Sequence, residues 1–253
     1  MRGQDTVTDS SRLFGKRAFV TAGSKGIGAA IVRRLASEGA AVVFTAQDVA
    51  AARPAADACG AKVVPLDVTD LAAAHRTVTV EGPFDILVNN AGMDQHEFFT
   101  HTTMEQWRHL LAVNLEAVFA TTHAALPSMQ AAGYGRLINI ASEAGRMGSR
   151  GGAVYAAAKG GVIAFTRSIA RENGRKGITA NVIAPGPVDT PLLRRGLEVG
   201  GEKLLAAMCG ATLVNRLGTP DEVAAAVAFL AGSEAAFITG ETLGVSGGMG
   251  CGT

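Results

Sequence analysis

Cysteine is scarce in this chain. Cys59, Cys209 and Cys251 are its three thiols, far apart and with no CxxC pair. That excludes a disulfide framework and a thiolate metal site, and it fits a reducing cytoplasm. A charge excess of one sign is missing too. The 23 basic and 22 acidic side chains leave a formal net charge of +1, and no basic run occurs. A nucleic-acid surface needs such a run, so nucleic acid is not the expected partner. No uninterrupted apolar run approaches the roughly 20 residues that cross a bilayer. The polar start "MRGQDTVTDSSRLFGKR" also holds no apolar stretch of signal-peptide length. No membrane partner is expected, and there is neither an internal repeat nor a linker.

What is present is strand–helix alternation. The 253 residues suffice for the core of one α/β domain or two small ones. "RAFVTAG" reads as a strand and "GIGAAIVRRLASEGA" as a helix closed by Gly39. "AVVFTA", "AKVVPLDVTD", "FDILVNNAG", "GRLINIAS", "ITANVIAPG" and "GETLGVSGG" hold six more strands. Between them lie a long helix ending in "SMQAAG", the helix of "YAAAK", and the capped helix "TPDEVAAAVAFLAGSE". Such β-branched, continuously apolar strands are buried on both faces. The fold class is therefore α/β: one doubly wound, Rossmann-type parallel sheet of about seven strands, with helices on both faces. Residues 1–12 are expected to form a loose arm. The stretch from Pro191 to Gly218 breaks the alternation and is too long for a plain connection.

Two short patterns carry chemistry. In "YAAAK", alanine favours helix, and positions four apart share one face. Tyr155 and Lys159 are thus presented together, although a packed ring and a solvated charge would give the same letters. In "VTAGSKGIG", Gly23, Gly26 and Gly28 follow a strand and open a helix. Glycines there let a phosphate approach backbone N–H groups at the positive end of the helix dipole. A glycine-capped turn is the plain alternative, but the position at the start of the sheet favours a dinucleotide.

Taken together, "TAGSKGIG", "NNAG" at 89–92, Ser142 in "INIAS", "YAAAK" and "PGPVDT" at 185–190 resemble the short-chain dehydrogenase/reductase family, of the single-domain Ser-Tyr-Lys type. The resemblance covers about Leu13 to Gly248. It departs at Ala22, where the family usually has glycine, so the turn must tolerate a methyl. The resemblance implies that residues 13–253 form one dinucleotide-binding oxidoreductase domain interconverting a ketone and a secondary alcohol. It implies Tyr155 as general acid/base, its phenol lowered from about 10 by the Lys159 cation. Ser142 would bond the substrate oxygen, so that Ser142 and Tyr155 bind the substrate. Asn114 would anchor a proton-relay water, or else mark a helix kink.

For the cofactor, the resemblance implies the turn residues Gly23, Ser24, Lys25, Gly26, Ile27 and Gly28. Asp67 and Val68 would hold the adenine, and Asn90, Ala91 and Gly92 would line the adenosine ribose side. Lys159, with Tyr155, would reach the nicotinamide ribose. Pro185, Gly186, Val188 and Thr190 would frame the carboxamide. Asp67 also reads as an ordinary turn carboxylate. The place where an acid would bind the ribose diol is read as Ala46, followed by Gln47. With no acid there and Lys25 before Gly26, the balance favours NADP(H) over NAD(H). Asp48 comes two residues late and is expected to point away.

Several features have plainer readings. The histidines of "HEFFTH" at 96–101 are five apart and would diverge by about 140° on a helix, so no metal is expected. Trp107 and Phe119 read as core or subunit contacts, and Arg194 and Arg195 as solvated. Leu192, Leu193, Leu197, Leu204, Leu205 and Met208 are spaced like one face of short helices. They make 191–218 a candidate substrate lid. Within the family, "NNAGMDQHEFF" and "ASEAGRMGSRGGAVYAAAKGG" look most like 3-oxoacyl thioester reductases and 3-hydroxyacyl-CoA dehydrogenases of alicyclic acids. The family also implies a homotetramer. Two rivals remain: a nucleotide-sensing protein on the same fold, and a lyase or dehalogenase that works without nicotinamide.

Overall fold

Alternate residues along each strand of a parallel sheet face opposite sides, and here both sides are covered. The computed structural model describes residues 12–252. Of the loose arm expected over 1–12, all but Arg12 lies outside the described residues. The strands are β1 (Arg17–Val20), β2 (Ala41–Ala46), β3 (Lys62–Pro65), β4 (Ile86–Asn89), β5 (Gly135–Ile140), β6 (Ile178–Pro185) and β7 (Thr242–Val245). All pair in parallel, in the order β3-β2-β1-β4-β5-β6-β7. The helices are α1 (Gly26–Ser37), α2 (Val49–Ala58), α3 (Leu71–Glu81), α4 (Met104–Leu111), α5 (Ala117–Ala132), α6 (Ala144–Met147), α7 (Ala153–Asn173), α8 (Pro191–Gly210) and α9 (Pro220–Ala231).

The core has two main layers, and strand parity sorts them. Ala18, Val20, Val42, Phe44 and Ala46 pack with Ile31, Leu35, Ala52, Val223 and Val227 of α1, α2 and α9. Phe19, Val43 and Val64 pack instead with Val78, Met129 and Ile169 of α3, α5 and α7. Local signals set the helix ends. Thr219 and Glu222 form a capping box on α9 with Pro220 in its first turn. Asp48 and Asp70 cap α2 and α3. Gly133 closes α5 at φ 64°.

Several details refine the sequence expectations or depart from them. Helices α2 and α3, not anticipated, carry the connections from β2 to β3 and from β3 to β4. The long helix is continuous over 104–132 but takes a π turn at Ala112–Glu116. By length and composition alone that helix could cross a bilayer, with a mean hydropathy of 1.2. Its Thr121 and Thr122 are buried against the sheet, however, as befits a helix flanking a core. The stretch after "PGPVDT" is helical, in keeping with the spacing of its leucines: α8 spans 20 residues, kinked at Gly201 (φ 61°, ψ −162°). Finally, Trp107 and Phe119 are not core. Trp107 stacks on Phe99 with centroids 5.1 Å apart, and Phe119, 40% exposed, leans on Phe165 at 4.6 Å.

Candidate active site

The strand order reverses between β1 and β4, and in open α/β sheets ligands bind beyond the carboxyl ends of strands at such a point. A cleft of about 630 Å³ opens there. Its walls include Ser24, Lys25, Gly26, Ile27 and Gly28 after β1, and Asn90 and Gly92 after β4. Ser142 after β5, Pro185 at the end of β6, and Gly186, Val188 and Thr190 after it complete that rim. Asn114, Tyr155 and Lys159 line the same cleft. Gly23 and Ala91 lie buried behind it. Gln47, Asp67 and Val68 stand past the ends of β2 and β3, outside it.

The turn after β1 is held by side chains that the sequence reading overlooked. Thr21 Oγ accepts the N–H groups of Asn90 and Ala91 at 2.9 Å each. Thr45 Oγ accepts the Ala22 N–H at 3.0 Å. Asn90 spends its amide on the carbonyls of Thr21 and Ala22, both at 3.1 Å. Its side chain therefore ties the turn. Ala22 sits at φ +53°, a left-handed conformation that disfavours a side chain. The methyl is tolerated because the turn is pinned from three sides. A Cβ on Gly28 would overlap Ala22 O and come within 2.5 Å of Asn90 Nδ2. This bare backbone at the N-terminus of a 12-residue helix suits a dinucleotide diphosphate, so the residues fit the group the cleft implies.

Other carboxylates near the turn are already engaged. Asp67 Oδ1 accepts from Thr69 N–H (2.9 Å) and Thr69 Oγ (2.8 Å), which hold the carboxyl below its usual range. Asp48 caps α2 through Ala51 N–H, consistent with its pointing away. Ala46, read as the place of a ribose-binding acid, ends β2 on the side of Val42 and Phe44, and its methyl is 4% exposed. The next residue, Gln47, is the exposed one.

The three polar residues expected to act together do meet. Tyr155 and Lys159 lie one turn apart on α7, with Lys159 Nζ 5.9 Å from the Tyr155 ring centroid. Lys159 is 4% exposed and donates to Ile140 O at 2.9 Å. Burial pushes its pKa down to about 8, partly opposed by Asp94. Burial likewise pushes Tyr155 up to about 12, Ser142 pulling down through a hydrogen bond and Asp94 pushing up. The phenol is thus raised where the sequence reading expected it lowered, and loss of water is the largest cause. Ser142 Oγ also accepts the Ala144 N–H at 3.1 Å. Asn114, fully buried within the π turn, clasps Met93: its Oδ1 accepts the Met93 N–H and its Nδ2 donates to Met93 O. A Cβ on Gly92 would lie 3.0 Å from Asn114 Oδ1 and 3.3 Å from Lys159 Nζ, so these two groups flank one small space.

Helix α8 borders the cleft. Leu192, Leu193, Leu204 and Met208 line it, while Leu197 and Leu205 do not. Arg194, 70% exposed, forks onto Asp189 at 2.7 and 2.8 Å, and Arg195 edges the cleft. His96 lies beside Asp94 (3.2 Å) in a segment that is not α-helical, and among the described residues no cluster of three or more His, Cys, Asp or Glu could hold a metal.

A doubly wound sheet with a glycine turn at its switch point, leading into a cleft that holds a buried Tyr–Lys pair and a serine, defines a nicotinamide-dependent oxidoreductase. Comparison with known proteins makes the family definite. Residues 21–250 match the adh_short_C2 family, described as enoyl-(acyl carrier protein) reductase. The chain is 43% identical over 243 residues to the 3-oxoacyl-acyl-carrier-protein reductase FabG of Vibrio cholerae, covering 94% of this chain and 98% of that one. It is 40% identical over 238 residues to the acetoacetyl-CoA reductase of Shinella zoogloeoides, covering 92% and 97%. A solved structure described as a candidate gluconate dehydrogenase from Agrobacterium tumefaciens superposes with a TM-score of 0.90 at 29% identity, covering 95% and 98%. The chain belongs to the short-chain dehydrogenase/reductase family and is an oxidoreductase of ketoreductase type.

Proposed function

We propose that the chain reduces a 3-oxoacyl thioester to its 3-hydroxy form with NADPH, Tyr155 giving the proton. The observation that carries this reading is the buried phenol beside Ser142, in one cleft with the glycine turn. When bound, a nicotinamide supplies the hydride to the carbonyl carbon. Tyr155, raised to about 12 by burial, holds its proton at neutral pH and so has one to give to the carbonyl oxygen. Ser142 Oγ can donate to the carbonyl oxygen and steady the charge that grows there. Lys159 keeps a buried cation beside the phenol and stabilises the phenolate as the proton leaves. Asn114, clasped to Met93, fixes the floor of the space next to Lys159.

The turn from Gly23 to Gly28, with Gly92 and the Pro185–Thr190 segment, would hold the dinucleotide. Lys25, exposed at the start of α1, would meet a 2′-phosphate, and Gln47 brings no carboxylate to repel it. This supports NADP(H) over NAD(H). The apolar wall of Leu192, Leu193, Leu204 and Met208 suits an acyl chain, and the names of the relatives support a thioester. The assembly is proposed to be a cytoplasmic homotetramer, and 191–218 a lid. The test is a panel of 3-oxoacyl thioesters and simple ketones, each offered with NADPH and with NADH. Faster thioester turnover with NADPH is expected. Tight cofactor binding without turnover of any carbonyl would replace this reading by the nucleotide-sensing one.

A further inference from the structure

The helix that carries Tyr155 has no cap of its own. Its N-cap position is Gly152, which has no side chain to offer, although the first N–H groups of any helix lack intrahelical acceptors. The missing acceptor comes from 60 residues away in the chain. Gln95 Oε1 accepts the N–H of Val154 at 3.0 Å and that of Tyr155 itself at 3.1 Å. Two donors facing this atom fix it as the amide oxygen.

The segment around Gln95 is held firmly enough to serve as an anchor. Glu97 N–H donates to Gly151 O at 2.8 Å. The Arg150 guanidinium lies over the Phe98 ring at 5.3 Å. Gln106, which closes the capping box of α4, donates to the Glu97 carboxylate at 3.2 Å. Residues 95–98 and 150–155 are thereby joined at three places, and Gln95 is the one that grips the Tyr155 backbone.

We propose that Gln95 is a positioning residue, holding Tyr155 in register with Ser142 by capping α7 across the cleft. The proposal rests on the reading of Tyr155 as the proton donor. Gln95 acts through the Tyr155 main chain, so its effect requires the phenolic hydroxyl. A displacement of about 1 Å at a reacting group can lower turnover about 10²-fold.

The experiment is a cycle of Gln95→Leu, Tyr155→Phe and the double variant, with Gln95→Glu in parallel, on the full chain with reduced cofactor and a 3-oxoacyl thioester. Gln95→Leu keeps the volume and loses the acceptor. Its kcat is expected to fall about 10- to 100-fold, with KM and cofactor affinity changed by no more than about twofold. Gln95→Glu keeps the acceptor and adds a charge that a helix N-terminus favours, so activity should return to within about threefold of the parent. In the Tyr155→Phe background Gln95→Leu should cause no further loss, because the group it positions is gone. An equal loss in both backgrounds, a KM rise in both, or an unchanged kcat would overturn the proposal. A fully active Gln95→Leu beside an inactive Tyr155→Phe would sink the positioning role alone, whereas a fully active Tyr155→Phe would sink the underlying reading. If Gln95→Leu does not fold, Gln95→Asn retracts the same amide by one methylene and should show the same loss of kcat.

Discussion

Lys159 is costly to the fold, and the cost can be measured. The side chain is 4% exposed, and its one direct acceptor is the Ile140 carbonyl. No carboxylate pairs with it among the described residues, and Asp94 acts only at a distance. Its fall from 10.5 to about 8 corresponds to about 3 kcal/mol set against the charged form in the folded state. The direction with pH follows from the depressed value. The lysine is neutral in both states above about 10.5, and the penalty grows as pH falls toward about 8, below which it is full. Lys159→Met removes the buried charge and keeps most of the volume. Losing the hydrogen bond to Ile140 offsets about 1 kcal/mol. The variant should therefore gain about 1–2 kcal/mol at pH 7, or about 2–8 °C in Tm, while losing activity. Denaturant melts of both proteins from pH 7 to pH 11 would test this. The gain should shrink as pH rises and turn into a deficit of about 1 kcal/mol near pH 11, where only the lost hydrogen bond remains. A variant that is less stable throughout, or a difference that does not change with pH, would refute the reasoning.

Asp94→Asn should lower the pKa values of both Tyr155 and Lys159, because the carboxylate disfavours the phenolate and favours the ammonium. The alkaline limb of the pH–rate profile should then move to lower pH, and an unmoved limb would exclude Asp94 as a contributor. Gln47→Asp should shift preference from NADPH toward NADH by placing a carboxylate against the 2′-phosphate. A wild type that already prefers NADH at matched concentrations would contradict the role given to Lys25 and Gln47. Helix α8, none of whose described side chains is buried, should exchange its amide hydrogens faster than the strands and become protected when cofactor and substrate bind. Equal protection in both conditions would make it a static connector. Sedimentation should show a tetramer at micromolar concentration, the exposed Phe119 and Phe237 being covered by neighbouring copies, and a monomer would defeat that expectation.

Much of the fold was legible because strands buried on both faces leave little choice of residue. "AFV", "VVF", "ILV" and "LINI" could hardly be anything else. Helices α2 and α3 were not. The first is a run of alanines broken by Pro54, and the second has only Ala74 and Val78 buried, so neither shows a clear apolar face. At the site, Tyr155 and Lys159 were readable because helix spacing alone brings them together. Thr21, Thr45 and Gln95 were not, because each acts across 23 to 70 residues of chain through contacts with no local pattern. The sign of the Tyr155 shift failed for a different reason. Spacing shows that a cation is near, but says nothing of how much water both groups lose.

The most direct test of the central claim is steady-state turnover of a 3-oxoacyl thioester by wild type and by Tyr155→Phe, with cofactor affinity measured separately. The phenylalanine keeps the ring and removes the proton. Turnover should fall by roughly 10²–10⁴-fold, the usual worth of general acid catalysis, while the cofactor binds as before. Near-normal turnover by Tyr155→Phe would contradict the claim, as would a wild type that binds the cofactor yet reduces no carbonyl compound.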